Sequence, residues 1–346
     1  MMRIDDRDIS RAHRPYIIAE IAQAHEGSLG NAMAFIDAAK ESGADAVKFQ
    51  THIAAEESTP QEPWRVAFSR QDASRYDYWK RMEFTFDQWG ILKAHCDKQE
   101  ISFLSSPFSL TACDWLERLG MPAWKVASGE INNDELLERI LATGQPVILS
   151  TGLSAHDEAL ATTRRVQAAG NSVALLHCTT RYPTPPEEEG LNLLSDYLQA
   201  LPDIPVGLSD HSGTPHPAVI ASYLGASIIE VHLALHKGMF GPDISSSLTP
   251  NGLRALVDGT TIAWQMRQNP VDKGRQLGGL GKERSIFGRS LFTTVPIPKG
   301  TRITDAMLGY KKPGGGLPYA ERDALIGRTA VRDMPVHHML VTDDVR

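Results

Sequence analysis

Apolar residues gather into eight short runs along the first two thirds of the chain, at 16–22, 46–51, 101–108, 123–128, 146–151, 173–179, 205–211 and 228–234. Each run is nearly continuous rather than alternating, and each ends in polar residues. That is the pattern of a strand covered on both faces, as in a parallel sheet. Amphipathic stretches with helical spacing stand between the runs, among them 31–42, 85–99, 134–143, 155–169 and 215–224. Gly43, Gly120, Gly144, Gly170 and Gly225 stand where such helices should stop. The alternation predicts an α/β fold, and eight units in this length favour a closed (β/α)8 TIM barrel over an open doubly wound sheet. No G-x-G-x-x-G turn follows the first run, which disfavours a dinucleotide-binding fold.

Two stretches depart from the rhythm. Between the second strand and its helix, residues 53–84 form a long connection carrying Trp64, Tyr76, Tyr78 and Trp79. Long loops are commonly functional or disordered, and aromatics argue against disorder. On a barrel this connection leaves from the catalytic face; covering a pocket and packing on its own aromatics are equally weighted readings. Beyond the helix at Pro250–Gln268, residues 269–285 are rich in Gly, Lys and Arg and read as a linker. The expected organisation is a barrel over 1–268, a linker over 269–285 and a small β-rich domain over 286–346.

Composition narrows the class. The chain has 346 residues, and 35 basic against 42 acidic side chains give a net charge of −7. With no basic stripe, a nucleic-acid partner is not expected. No apolar run is long enough to span a bilayer. Residues 1–15 are charged and lack an apolar core, so they do not read as a secretory signal. Cys96, Cys113 and Cys178 are three and widely spaced, which argues for a reducing compartment and a cytoplasmic protein.

The candidate chemistry lies where the strands end. Every run carries a polar residue near its C-terminal end: Glu20; Lys48 and Gln50; Ser105 and Ser106; Lys125 and Ser128; Ser150; His177 and Thr179; Ser209, Asp210 and His211; Glu230 and His232. An unpaired charge in a dry barrel costs several kcal/mol or more. A whole ring of such residues is better explained by a ligand than by stability. Lys48 and Gln50 are two apart and share a face, as do Ser209 with His211 and Glu230 with His232. Two imidazoles on neighbouring strands suit a divalent metal such as manganese, zinc or iron. Lys48 and Lys125 among serine hydroxyls suit a phosphate or carboxylate cradle. A Schiff-base lysine and lysines merely paired with Glu20 or Glu230 are the rival readings.

The motifs in order resemble the N-acetylneuraminate (sialic acid, nonulosonic acid) synthase family. They are Ile18-Ala19-Glu20-Ile21 with His25-Glu26-Gly27; Val47-Lys48-Phe49-Gln50-Thr51-His52; Ser105-Ser106-Pro107-Phe108-Ser109; and Lys125-Val126-Ala127-Ser128-Gly129-Glu130. Leu149-Ser150-Thr151-Gly152, Leu176-His177-Cys178-Thr179, Tyr182-Pro183-Thr184-Pro185, Ser209-Asp210-His211, Glu230-Val231-His232 and Gly241-Pro242-Asp243 complete the set. Arg289-Ser290-Leu291, Ile297-Pro298-Lys299-Gly300 and Leu325-Ile326-Gly327 resemble the family's antifreeze-like (SAF) domain.

The resemblance implies condensation of phosphoenolpyruvate with an N-acylmannosamine-type amino sugar, dependent on a divalent metal, manganese first. It implies that Glu20, Lys48 and Lys125 are catalytic and that His211 and His232 hold the metal. Ser106, Ser128, Ser150 and Ser209 would bind phosphoenolpyruvate. Gln50, Phe108, Tyr182, Asp243 and Lys312 would contact the sugar. It also implies a homodimer in which each SAF domain caps the partner's barrel. Ala24 and Thr180 stand where the family usually has asparagine, and Lys312 where it often has arginine. These departures leave the acceptor open between N-acetylmannosamine and a diacetamido-trideoxyhexose. A Schiff-base aldolase or lyase and a non-catalytic sugar-acid-binding paralogue are the alternatives.

Overall fold

The computed structural model describes residues 2–346. The chain divides into two compact units, one ending at Asn269 and one running from Pro270 to Arg346.

The first unit is built on eight parallel strands: β1 (Tyr16–Ala22), β2 (Ala46–Thr51), β3 (Ser102–Pro107), β4 (Trp124–Val126), β5 (Val147–Ser150), β6 (Val173–Cys178), β7 (Val206–Asp210) and β8 (Ile228–His232). They are hydrogen-bonded in the order β3-β2-β1-β8-β7-β6-β5-β4. Every residue of β1, β5, β6, β7 and β8 is buried, which is why their sequences run apolar without alternation. Burying an Ile such as Ile17 or Ile18 in this core contributes roughly 1.5–3 kcal/mol. The ring is nearly closed. β3 and β4 lie side by side, but no ladder joins them among the described residues. There the backbone N–H of Ser105 donates to Sδ of Met121 at 3.1 Å instead.

The helices between strands are stopped and started by local chemistry. Ser28 caps Leu29–Glu41, and Thr85 with Gln88 forms a capping box on Phe86–Gln99. Gly225 ends His216–Leu224 at φ 116°, a conformation that a side chain would strain. Leu110–Arg118 and Leu191–Ala200 are further helices, beyond those the sequence pattern predicts. So too is the hairpin of Met2–Ile4 with Arg7–Ile9, whose Met2, Ile4 and Ile9 join the barrel core. Strands of three residues are too short for a periodic signal.

The connection over 53–84 is ordered by two helices, Ala54–Glu57 and Arg75–Met82. Trp64, Phe68 and Tyr78 pack ring to ring at 5.0–5.9 Å. Arg81 ties the segment to Glu26 and braces it internally through Asp72, each at 2.8 Å.

In the second unit, Lys273–Gly278 and Gly281–Phe287 are helical, so the stretch read as a linker carries two short helices. Ser290–Thr293 pairs antiparallel with Leu308–Lys311. Leu291, Ile297, Ile303, Leu308, Met334 and Leu340 form this unit's own core. Asp344 is fully buried, where it accepts from Arg332 and His338.

Candidate active site

Strand register sets the first layer of the site. Glu20 on β1 is level with Lys48 on β2 and with His232 on β8. Glu230 is level with Ser209 on β7, which is level with Cys178 on β6. All these side chains are buried, with Glu20, Lys48 and Lys125 at 1–3% exposure. They pair largely with one another. Lys48 Nζ lies 2.7 Å from Glu20, 3.6 Å from Glu230 and 3.4 Å from Ser106 Oγ. Lys125 Nζ bonds Ser150 Oγ at 2.8 Å and lies 3.7 Å from Glu230. Gln50 donates to Glu20 Oε1 at 2.8 Å and accepts from Gln23 at 2.8 Å. Ser209 donates to Glu230 at 3.4 Å.

The two lysines differ electrostatically. Burial lowers both, but Glu20 and Glu230 flank Lys48 and hold it above the ordinary lysine range. Lys125 is held below that range, because burial outweighs the pull of Glu230. Burial pushes Glu20 up against the pull of Lys48. Glu230 is lowered: burial opposes ionisation, but Lys125 and Lys48 outweigh it. Glu230 Oε2 has no hydrogen-bond partner although it is buried.

The imidazoles stand beside this set, His232 on β8 level with Glu20 and His211 one residue past the end of β7. The His211 and His232 rings are 5.3 Å apart, and the Tyr182 ring lies 4.0 Å from His211 and 6.0 Å from His232. His211 Nδ1 contacts the Thr179 carbonyl at 2.9 Å; donating to it leaves Nε2 as a free lone pair. Burial pushes His211 down to about 3, so the ring is neutral near pH 7. Neither ring nitrogen of His232 hydrogen-bonds to protein among the described residues. A neutral imidazole with its second nitrogen fixed by a carbonyl is the form that binds metal, which His211 meets; with both His232 ring nitrogens left without a protein partner among the described residues, the two rings fit a divalent ion. No group of three or more His, Cys, Asp or Glu converges among the described residues. Such an ion would take its other ligands from water or substrate.

A pocket opens at the His232 and Tyr182 rings, lined by Gln50, Tyr182, His232 and Asp243 from the barrel and by Trp64, Arg65, Phe68, Tyr78 and Trp79 from the 53–84 segment. The segment therefore forms a wall of the pocket as well as packing on itself.

The barrel thus brings together Glu20, Lys48, Gln50, Ser106, Lys125, Ser150, Ser209, Tyr182, His211, His232 and Asp243. Ser128 stands beside them, accepting from the Gly152 N–H at 3.0 Å and lying 3.6 Å from Cys178. Gly152 is tightly enclosed: a Cβ there would collide with Thr180 Oγ1, one of the departures noted in the sequence. Ala24 is buried. Phe108 stacks on His52 at 4.5 Å in an adjoining pocket that shares Gln50. Lys312 belongs to the second unit, with its Nζ 5.6 Å from the Phe287 ring centroid. Gln23 and Arg65 were not foreseen. Gln23 lies one residue past β1, where strand-end chemistry could have flagged it. Arg65 sits in an aperiodic segment with no such signal.

A (β/α)8 barrel with buried lysines, hydroxyls and a pair of imidazoles at its strand ends belongs to the class of barrels that bind anionic substrates there. The chain matches the NeuB family over residues 35–272 and the SAF domain over 288–346. It belongs to the NeuB family. It is 33% identical over 327 residues to the N,N'-diacetyllegionaminic acid synthase of Campylobacter jejuni, covering 92% of this chain and 96% of that one. It is 32% identical to the human N-acetylneuraminate-9-phosphate synthase, covering 88% and 85%. Among solved structures, the spore coat polysaccharide biosynthesis protein SpsE of Bacillus subtilis superposes with a TM-score of 0.67 at 31% identity, covering 100% and 99%.

Proposed function

We propose that this protein condenses phosphoenolpyruvate with an N-acyl amino sugar, giving a nonulosonic acid and phosphate. The observation that carries this reading is the buried set of Lys48 and Lys125 with Ser106, Ser150 and Ser209, close to the paired imidazoles of His211 and His232 and to the pocket that His232 lines. Relatives named as nonulosonic acid synthases support it.

The two ammonium groups and the serine hydroxyls hold the phosphate and carboxylate of phosphoenolpyruvate and offset charge as it shifts. C3 of phosphoenolpyruvate attacks the aldehyde carbon of the open-chain sugar, and the new C–C bond leaves C2 electron-poor. Water adds at C2, and Glu20 takes a proton from it and passes it to the former aldehyde oxygen, which becomes a hydroxyl. The C2 hydroxyl then closes to the ketone as the C–O bond to phosphate breaks, and its proton leaves with the phosphate. Gln50 orients Glu20 for this by its bond to Oε1. His211 and His232 would hold a divalent metal, manganese first, which supplies Lewis-acid polarisation of the sugar's carbonyl oxygen.

The acceptor is proposed to be unphosphorylated. Arg65 and Arg75, the cations lining the pocket, are paired with Asp243 and Glu62. The adjoining pocket presents Glu56, Glu57, Glu62 and Glu130. A phosphate arriving there would meet carboxylates. The protein is further proposed to act as a cytoplasmic homodimer, with Lys312 at the sugar. Light scattering should give twice the 38.0 kDa chain mass.

The deciding experiment is phosphate release from phosphoenolpyruvate with manganese and a panel of N-acyl hexosamines, with and without a sugar phosphate. Release with one neutral sugar, lost on chelation, supports the proposal. No release with any sugar sinks it. A second reading, a Schiff-base lyase, has one observation in its favour: the lowered Lys125. Borohydride trapping of pyruvate on Lys125 without phosphate release would establish it.

A further inference from the structure

Arg65 lies at the far reach of the 53–84 segment. Its guanidinium contacts Asp243 Oδ1 at 2.5 Å and lies 4.4 Å over the Tyr182 ring. Asp243 Oδ2 takes no hydrogen bond from protein among the described residues. Tyr182 in turn lies against His211. One exposed arginine thus touches two of the pocket residues that are candidates for sugar contact, Tyr182 and Asp243.

Stability does not account for this arrangement. The Arg65 side chain is 39% exposed, and an exposed ion pair is worth little to a fold. The segment is also anchored without it. Arg81 holds it to Glu26 and Phe68 packs on Phe240 at 5.2 Å, while the Ala54 N–H donates to Glu83 and ties the two ends of the segment together. Arg65 is therefore free to serve the pocket.

We propose that Arg65 is a positioning residue for the acceptor sugar. It holds one oxygen of Asp243 and covers Tyr182, so that Oδ2 is left for a sugar hydroxyl and the phenol ring stays fixed over His211. The 53–84 segment is then the specificity element of the site, acting on the acceptor and not on phosphoenolpyruvate. The inference rests on the synthase reading above.

The test is steady-state kinetics on the full-length protein. Losing a charge-assisted hydrogen bond weakens binding by roughly tenfold or more, so Arg65→Ala should raise the acceptor KM about tenfold or more. The phosphoenolpyruvate KM should stay within about twofold, and kcat should fall much less than the acceptor affinity. Arg65→Lys should recover part of the loss, since it keeps the charge and lacks the planar face over Tyr182. Because Arg65 acts through Asp243, the double variant with Asp243→Asn should be little worse than Asp243→Asn alone. An unchanged acceptor KM in Arg65→Ala, an equal rise in both KM values, or an additive double variant overturns the inference while leaving the synthase reading intact. A wild type that releases no phosphate with any acceptor removes both.

Discussion

Glu230 serves two lysines at once. It lies 3.6 Å from Lys48 and 3.7 Å from Lys125, and the three side chains are almost wholly buried. Removing one member of a buried ionic set leaves an uncompensated charge, which commonly costs about 3–5 kcal/mol. Glu230→Gln should therefore lower unfolding free energy by that order in urea denaturation, and should depress Lys125 further. A loss under about 1 kcal/mol would show that water already reaches the lysines. For the imidazoles, His211→Ala or His232→Ala should abolish metal-dependent phosphate release while circular dichroism stays native. Full activity of either variant without metal would end the metal proposal.

At the scale of elements, what could be read in the sequence follows from periodicity. The barrel strands were legible because they are buried on both faces, and a continuous apolar run has no place on an element that turns one face to water. The ring was legible because Lys48, Lys125 and Glu230 are expensive to bury, so their presence on apolar strands already implied a ligand. The 53–84 segment was legible only as an aromatic-rich connection. Its helices are short, and Arg65 matters through a contact with Asp243, 178 residues away, which local pattern cannot carry. The helices within 269–285 are likewise short, and Gly-rich composition masked them. The helix stops follow a rule that can be tested. Gly225→Ala places a Cβ at φ 116° beside Arg267, and should cost about 1 kcal/mol, read as a lower Tm.

At the scale of the whole molecule, stability should carry a pH signature from Glu189. Burial, with Asp210 nearby, pushes its carboxyl up from 4.5 to about 8. Between those values the native state holds a proton that the unfolded chain has released. Stability therefore falls as pH rises from 4.5 to 8, and is fully retained below 4.5. Glu189→Gln should match the wild type near pH 4.5 and exceed its Tm at pH 8 and above. Equal Tm values across that range would show that the carboxylate is solvated.

The gap between β3 and β4 makes the barrel a sheet with two ends. Gly120 is exposed and lies between those strands. A cut there would give one piece with β1–β3, carrying Glu20, Lys48 and Ser106, and another with β4–β8, carrying Lys125, Ser209, His211 and His232. No strand ladder would be severed, and a single intact ladder, β1 with β8, would span the two pieces. Neither piece holds a complete site. The enzyme is thus laid out for fragment complementation: co-expressed halves would regain turnover by re-forming that one ladder together with the side-chain contacts that cross the cut, such as Ser105 with Met121 and Arg65 with Asp243, and turnover itself would report their reunion.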